Sequence, residues 1–414
     1  MRILIVTDAF PPTCGGSGWS TYELTRGLRQ RGHYAVVVQP TADGRPWAYD
    51  GIDVTAFPAP APSLPFVRNY ARNERLYPKL DRFLRDVIAR ERIDIVHGQH
   101  VLSGPAAIGA ARASGIPAVC TVRDYWPVCY WGDLLRRDTD APICPQCSAR
   151  AMVSCLPLHA GGAWPLTLPA IPYMRSNLRM KQATLAQADA VIAVSRSVEA
   201  DLRARAPELA RTRVEAIPNA VDVRRIRVAA GREGPPAEHP YALFIGKLTR
   251  NKGARLLVEV IQRAALTMPL VVAGDGPDRT ALLQAAAAAG RDVRVLGWRD
   301  RDEVFRWLAH AQLLVFPSVW KEPLSRVLLE ASALGVPMAA MDTGGTSDII
   351  VHGETGLLSQ SAEALASDVT RLSADEALRA TLRAGAARRA EALFDIGVVV
   401  KRMERLYTEL IGLR

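Results

Sequence analysis

The chain has 414 residues, 49% of them hydrophobic and 23% charged. A length about two or three times that of a typical domain predicts two domains with sizeable cores, and the balance excludes a disordered, collagen-like or disulfide-stapled class. Lys and Arg number 52 against 42 Asp and Glu, a surplus of +10, which points to a polyanionic partner: nucleic acid, an acidic membrane face or phosphorylated small molecules. Cut near Pro218, the front part holds 26 basic against 19 acidic residues and the rear part 26 against 23, so the front carries +7.

Ile3 to Val6 read as a buried strand, too short for a secretory core, and a cytoplasmic protein is expected. The loop Phe10-Pro11-Pro12-Thr13-Cys14-Gly15-Gly16-Ser17-Gly18 then opens an amphipathic helix over Thr21 to Arg31. Backbone amides at Gly15 and Gly16 could cradle a phosphate, with a plain tight turn as the alternative. Strands follow at Ala35–Val38, Ile93–Val96, Ala118–Thr121 and Ala190–Val194, alternating with helical patterns, the signature of parallel α/β architecture. No run of about 20 residues is both apolar and free of helix breakers. The nearest, Leu156 to Met174, contains Pro157, Pro165, Pro169 and Pro172; it would lie on a bilayer surface or pack on the amino domain. Beside it stand Arg175, Arg179 and Lys181, and a second basic set, Arg68, Arg72, Arg75, Lys79, Arg82 and Arg85, recurs every three or four residues on one expected helical face, interleaved with Glu74, Asp81 and Asp86. Both suit an anionic membrane surface.

The polar Gly/Pro stretch at Arg232 to Pro236 places the linker within 215–238, and a second strand series begins at Ala242–Ile245, continuing at Leu270–Ala273, Val293–Leu296, Leu313–Phe316 and Met338–Ala340. Ligands are expected at the carboxyl ends of the strands, between the domains. Gly246-Lys247 follows the first of these strands and Lys252-Gly253 stands just before a helix. Two ammonium groups there suit a diphosphate; two solvated lysines beside a turn are the plain alternative. In Glu322-Pro323-Leu324-Ser325-Arg326-Val327-Leu328-Leu329-Glu330 the proline is read as the first helical residue, leaving Glu322 in the preceding loop. Eight residues at about 1.5 Å each make ~12 Å, too far for two carboxylates to meet at one glycosidic bond but suited to bracketing an extended ligand. The amides of Leu324, Ser325 and Arg326 would point at an anion.

Taken together, the Gly15-Gly16 loop, the Gly246-Lys247 and Lys252-Gly253 pair, Ala273-Gly274-Asp275-Gly276-Pro277, Pro317-Ser318, Glu322 to Glu330, Pro218 to Asp222 and Gly353 to Leu358 resemble family 4 retaining glycosyltransferases of the GT-B fold. The resemblance runs essentially end to end. It implies two Rossmann-like doubly wound α/β domains facing a central cleft: residues 1–218 for the acceptor, with a cysteine-containing and apolar insert at about 127–174, residues 219–396 for the nucleotide sugar, and a helix over 397–414 packing back on the first. Position by position, Lys247 and Lys252 match the cations on the donor diphosphate, Glu330 the ribose-holding acid and Glu322 the residue on the sugar hydroxyls. Leu324 and Ser325 match the donor-facing amides, where the family more often has Phe-Gly, and Gly16 the loop glycine near the donor phosphates. The implied reaction moves a sugar from a nucleoside-diphosphate donor to a carbohydrate or lipid-linked acceptor with retention, by a front-face route that needs no metal cofactor. Arg123 stands where the family often has histidine and cannot act as a base at neutral pH. His97 matches a family histidine; either it or His100 would line the site, or be structural.

Six cysteines occur. Cys129, Cys144, Cys147 and Cys155 are clustered, and a structural zinc, free thiols and disulfides are the alternatives. Two competing functions remain in view: a nucleotide-sugar 2-epimerase on a similar fold, and a nucleic-acid-binding protein. The second is disfavoured because aromatics are only 6% and the lysines fall at strand ends, so no nucleic-acid partner is expected. The expected place is the cytoplasm, with peripheral attachment to the inner face of the membrane.

Overall fold

The structure is a computed structural model that describes residues 1–136 and 143–413; residues 137–142 of the expected insert lie outside it. The chain forms two compact units, Met1–Ala220 together with Val399–Arg414, and Val221–Val398.

The first unit is built on an eight-stranded sheet: β1 (Arg2–Val6), β2 (Tyr34–Thr41), β3 (Trp47–Tyr49), β4 (Ile52–Pro58), β5 (Ile95–Gly98), β6 (Ala118–Val122), β7 (Ala190–Ala193) and β8 (Val214–Ala216). The order is β3-β4-β2-β1-β5-β6-β7-β8, parallel except for the β3–β4 edge pair. Ile3, Leu4, Ile5 and Val6 have no exposed surface. Their unbroken apolar run reflects a strand covered on both faces rather than one. The order of strands reverses between β1 and β5, the switch point at which the loops on the carboxyl side splay apart.

The second unit repeats the plan with six parallel strands: β9 (Ala242–Ile245), β10 (Leu270–Ala273), β11 (Val293–Gly297), β12 (Leu313–Phe316), β13 (Met338–Met341) and β14 (Leu357–Ser359), in the order β11-β10-β9-β12-β13-β14. Phe244, Val272, Leu313 and Val315 from the sheet pack with Leu257, Ile261, Leu365 and Val369 from its helices. Here the switch point lies between β9 and β12.

Three features depart from the sequence reading. The boundary between the units, Ala220 to Val221, falls within the expected 215–238 but before the Arg232 to Pro236 stretch, which lies inside the second unit because the preceding Val223–Ala230 helix buries Val223, Ile226, Ala229 and Ala230 and anchors Arg227 Nε on the Ala333 carbonyl at 2.9 Å. Pro157 stands within the Ala149–Ala160 helix rather than ending it. The basic set from Arg68 to Arg85 does not form one helical face, since a π-helical turn at Ala71–Arg75 separates the Pro65–Tyr70 and Leu76–Glu91 helices and rotates one against the other.

The last helix, Ile396–Gly412, buries Val399, Val400, Met403, Leu406, Tyr407 and Leu410 at spacings of one to four residues. From Val399 on it belongs to the first unit. Glu404 accepts from Arg31 and from His33 Nε2 at 2.8 Å, and Arg402 donates to the Ala216 carbonyl at 2.8 Å.

Candidate functional site

In the second unit the expected donor residues gather at the carboxyl ends of β9 and β12, the two strands that flank the switch point. Gly246 and Lys247 leave β9, and the chain then turns through Arg250–Lys252 into the Ala254–Arg263 helix. Gly253 makes that turn possible. Its φ is +77°, and a Cβ there would stand 1.8 Å from the Pro317 carbonyl oxygen, so only glycine lets the Lys252 turn lie against the end of β12. Gly274 is similarly confined, with a Cβ reaching 1.9 Å from the Gly246 carbonyl oxygen.

This close packing brings Lys252 to Glu322. Its Nζ lies 2.7 Å from Glu322 Oε1, which also accepts from Ser318 Oγ at 2.6 Å. Glu322 is buried, whereas the Lys252 side chain is 31% exposed and stands 4.7 Å from the centre of the Trp320 ring. Lys247, by contrast, is exposed and has no ion pair among the described residues. The two lysines therefore differ: one is free for an incoming anion, and the other is already neutralised by a carboxylate.

The second acid, Glu330, sits on the Arg326–Ala333 helix, buried, with Oε1 accepting from Arg326 Nε at 2.9 Å and from Arg301 Nη2 at 3.3 Å. Arg301, on the Arg301–Ala309 helix that follows β11, carries no motif, and its place here emerges only from the strand order. The helix does not begin at Pro323. Pro323, Leu324 and Ser325 remain outside it, and Ser325 caps it in extended conformation (φ −70°, ψ 121°) without a side-chain cap bond. The amides left without an intrahelical partner at this end are therefore those of Arg326, Val327 and Leu328, and the expected helical spacing of the two acids does not hold.

In the first unit, Gly15 is the N-cap of the Gly16–Gln30 helix, with no side-chain cap, and a Cβ at Gly15 would meet nothing within 4 Å. The space before this helix end is open to a ligand. Arg123, at the end of β6, is held by Gln99: Nη1 donates to its carbonyl at 3.0 Å and to Oε1 at 2.6 Å, while Nε donates to Asn219 Oδ1 at 3.1 Å. His97 takes the structural course. It is fully buried, Nδ1 meets the Tyr407 hydroxyl, Nε2 lies 2.7 Å from Thr121 Oγ1, and burial holds the ring well below the usual histidine pKa. A neutral imidazole with both nitrogens engaged ties β5 to the last helix and has no atom left for a substrate. His100 instead reaches the half-buried surface, Nε2 lying 3.4 Å from Asp124 Oδ2. Burial raises the Asp124 carboxyl despite this histidine, and it lowers Lys181, across from Asp124, to about 8. Sequence reasoning missed this group because Asp124, His100 and Lys181 come from three separate segments.

All six cysteines are free thiols. The Cys147 thiol donates to Cys129, whose sulfur is thereby held to about 7, while Cys144 Sγ turns to the Gln146 carbonyl at 3.3 Å and Cys155 Sγ to that of Met152 at 3.2 Å. Among the described residues no group of three or more His, Cys, Asp or Glu side chains is placed to hold a metal ion. Of the three uses left open, this arrangement fits free thiols, and the residues as placed do not make a four-thiolate zinc site.

Two open, doubly wound βα sheets, the second with cations and buried acids at its switch point, define a two-domain α/β class with its polar groups at the strand ends. Comparison with known proteins makes this specific. The model of Glycosyltransferase Family 4 matches residues 14–225 and that of Glycosyl transferases group 1 matches residues 239–375. The chain belongs to the family 4 glycosyltransferases, with the GT-B fold, and is a transferase enzyme. A 2-deoxystreptamine N-acetyl-D-glucosaminyltransferase of Niallia circulans is 36% identical over 121 residues, which span 28% of this chain and 31% of that one. A GDP-mannose-dependent alpha-mannosyltransferase of Mycobacterium tuberculosis is 28% identical over 382 residues, 86% of this chain and 83% of that one. The solved sucrose-phosphate synthase of Thermosynechococcus elongatus superimposes with a TM-score of 0.74 over 100% of both chains at 21% identity.

Proposed function

We propose that this glycosyltransferase is a retaining enzyme that takes a sugar from a nucleoside-diphosphate donor, held by the second unit, and passes it to a carbohydrate or lipid-linked acceptor taken by the first. The observation that carries the reading is the Lys252–Glu322–Ser318 group beside the unpaired Lys247 at the β9/β12 switch point. The GDP-mannose-dependent relative supports the donor class. As the bond from the anomeric carbon to the diphosphate oxygen breaks, charge builds on the leaving group. Lys247, Lys252 and the uncapped amides of Arg326 to Leu328 offset that charge without a divalent ion. The acceptor hydroxyl oxygen forms the new bond to the same carbon on the same face, and its proton leaves on the departing diphosphate. Glu322, once Lys252 turns to the phosphate, is free to accept from a sugar hydroxyl, and Glu330 accepts from the ribose.

A peripheral position on an anionic membrane is the second part of the proposal. It is supported by exposed Leu64, Val67 and Tyr70 on and just before the helix that carries Arg68, and by exposed Leu158 and Leu166 on the segments that lead into the Ile171–Leu185 helix with Arg175. No helix among the described residues is long and apolar enough to cross a membrane. Thermal-shift titration with UDP, GDP and ADP sugars tests the donor class: one of them is expected to stabilise the protein by about 2.7 kcal/mol at 100 times its dissociation constant. No shift with any of the three would remove the nucleotide-sugar reading.

A further inference from the structure

We propose that the first unit contains a second anion site, apart from the sugar-nucleotide residues of the other unit, that takes a phosphoryl group. The Ala149–Ala160, Ile171–Leu185 and Arg196–Arg205 helices converge on a cavity of about 380 Å³ whose lining includes Cys147, Ser148, Arg175, Arg179, Arg205 and Glu208. Small-molecule sites span roughly 300–1,000 Å³, so this one admits a phosphorylated group larger than the bare ion.

Three arginines line this space. Arg175 and Arg179 lie one turn apart on the Ile171–Leu185 helix, both exposed, and neither has a carboxylate partner among the described residues. Two like charges at this spacing repel, and no neighbour on the helix offsets them. Arg205 approaches from the end of another helix with its side chain only 11% exposed. Its Nη2 donates to the Cys144 carbonyl at 3.1 Å and its Nη1 lies 3.6 Å from Asp201 Oδ1, but its Nε is buried with no partner. Glu208 is the lone acid in the lining, so the balance stays positive. At the same wall the Ala149–Ala160 helix begins: Ser148 Oγ accepts the Ala151 N–H at 3.2 Å, there is no acid in the first turn, and the Ala149 and Arg150 amides have no intrahelical partner. Forked guanidinium donors around a helix N-terminus match the oxygens of a phosphoryl group.

Cys147 and Ser148 come from the long connection after β6, and none of Gly15, Gly16, His100 and Arg123 lines this cavity. The Arg196–Arg205 helix leaves the carboxyl end of β7 and returns toward the amino end of β8, and Arg205 is its last residue. A phosphoryl group can arrive on a soluble compound or as a lipid headgroup, and the test distinguishes the two.

The 414-residue chain carrying Lys247→Ala and Lys252→Ala, which removes the cations assigned to the donor, is titrated calorimetrically with inorganic phosphate against chloride at constant ionic strength. In parallel it is floated with phosphatidylcholine vesicles with and without phosphatidic acid. Adding Arg175→Ala and Arg179→Ala is expected to weaken binding at least tenfold. If phosphate binding is what is lost, the ligand is soluble; if phosphate binds neither protein and phosphatidic-acid flotation is lost, it is a headgroup. Phosphate affinity and flotation unchanged by the two arginine substitutions, or absent before them, overturn the proposal. The single exposed change Arg179→Glu gives the same readout should the combined variant lose its fold.

Discussion

Lys252→Ala separates two roles that one side chain plays at different moments. Without donor, Lys252 is the cationic partner of a buried carboxylate, 2.7 Å from Glu322 Oε1, with Ser318 Oγ at 2.6 Å on the same oxygen. Breaking a fully buried pair costs about 3–5 kcal/mol. The lysine is 31% exposed, so water can enter its place, and the cost falls to about 1–2 kcal/mol. With donor bound, the same ammonium is assigned to the leaving diphosphate, where a charged hydrogen bond contributes roughly 1.5–3 kcal/mol; a loss of ~2.7 kcal/mol is on the order of 100-fold in turnover. Urea unfolding reads the first effect, and initial rates at saturating donor read the second. Adding Glu322→Gln to Lys252→Ala distinguishes them. A neutral amide needs no counter-charge, so stability returns while turnover stays low. Full turnover in Lys252→Ala, or its recovery on adding Glu322→Gln, would show that the lysine serves only its carboxylate and would refute the diphosphate role.

Gly253→Ala, which sets a methyl group 1.8 Å from the Pro317 carbonyl oxygen at a φ of +77°, is expected to lower the unfolding free energy by at least about 2 kcal/mol and to raise the apparent dissociation constant for nucleotide; an unchanged urea midpoint would contradict the close packing of β9 and β12 ends. Burial lowers the Lys181 ammonium from 10.5 to about 8, against the pull of Asp124 and Glu74. The unfolded chain therefore holds a proton that the folded chain lacks between these two values, and stability relative to Lys181→Met rises with pH across that window by up to about 3 kcal/mol, staying level below it. Urea unfolding of both proteins at pH 7 and pH 10 measures this, and a constant difference counts against a buried ammonium. For metal dependence, initial transfer rates are expected to survive EDTA and the purified protein to carry less than about 0.1 equivalent of zinc; complete, Mg²⁺-reversible loss of activity would contradict the metal-free route, and one equivalent of zinc would contradict the free-thiol reading.

What could be read from the residues in order was whatever neighbours within a few positions decide. Ile3 to Val6 and Leu313 to Phe316 are strands because unbroken apolar runs of that length fit a sheet covered on both faces, and the glycines around Lys247 and Lys252 mark close backbone approach wherever they fall. The helix near Glu330 was legible as an element, but its start was not. A proline favours the first helical turn without compelling it, and here the chain stays extended until Ser325. What stayed hidden was every property set by a partner across the sheet. His97 resembles a site histidine until the Tyr407 hydroxyl, 310 positions later, occupies its ring nitrogen. The four clustered cysteines are close in sequence, yet the direction of each sulfur is a matter of local turns, and two of them face backbone carbonyls. Lys252 and Glu322 stand 70 positions apart and meet because β9 and β12 are adjacent at the switch point. That adjacency alters the chemistry. Reading each charge singly makes Lys252 a waiting cation, whereas in the fold it is a satisfied one, and any diphosphate must draw it away from a buried carboxylate. The exchange is favourable only if the ligand also gives Glu322 a new donor, which a sugar hydroxyl does and a free diphosphate does not. The same pair that binds charge can therefore discriminate a nucleotide sugar from its spent nucleotide.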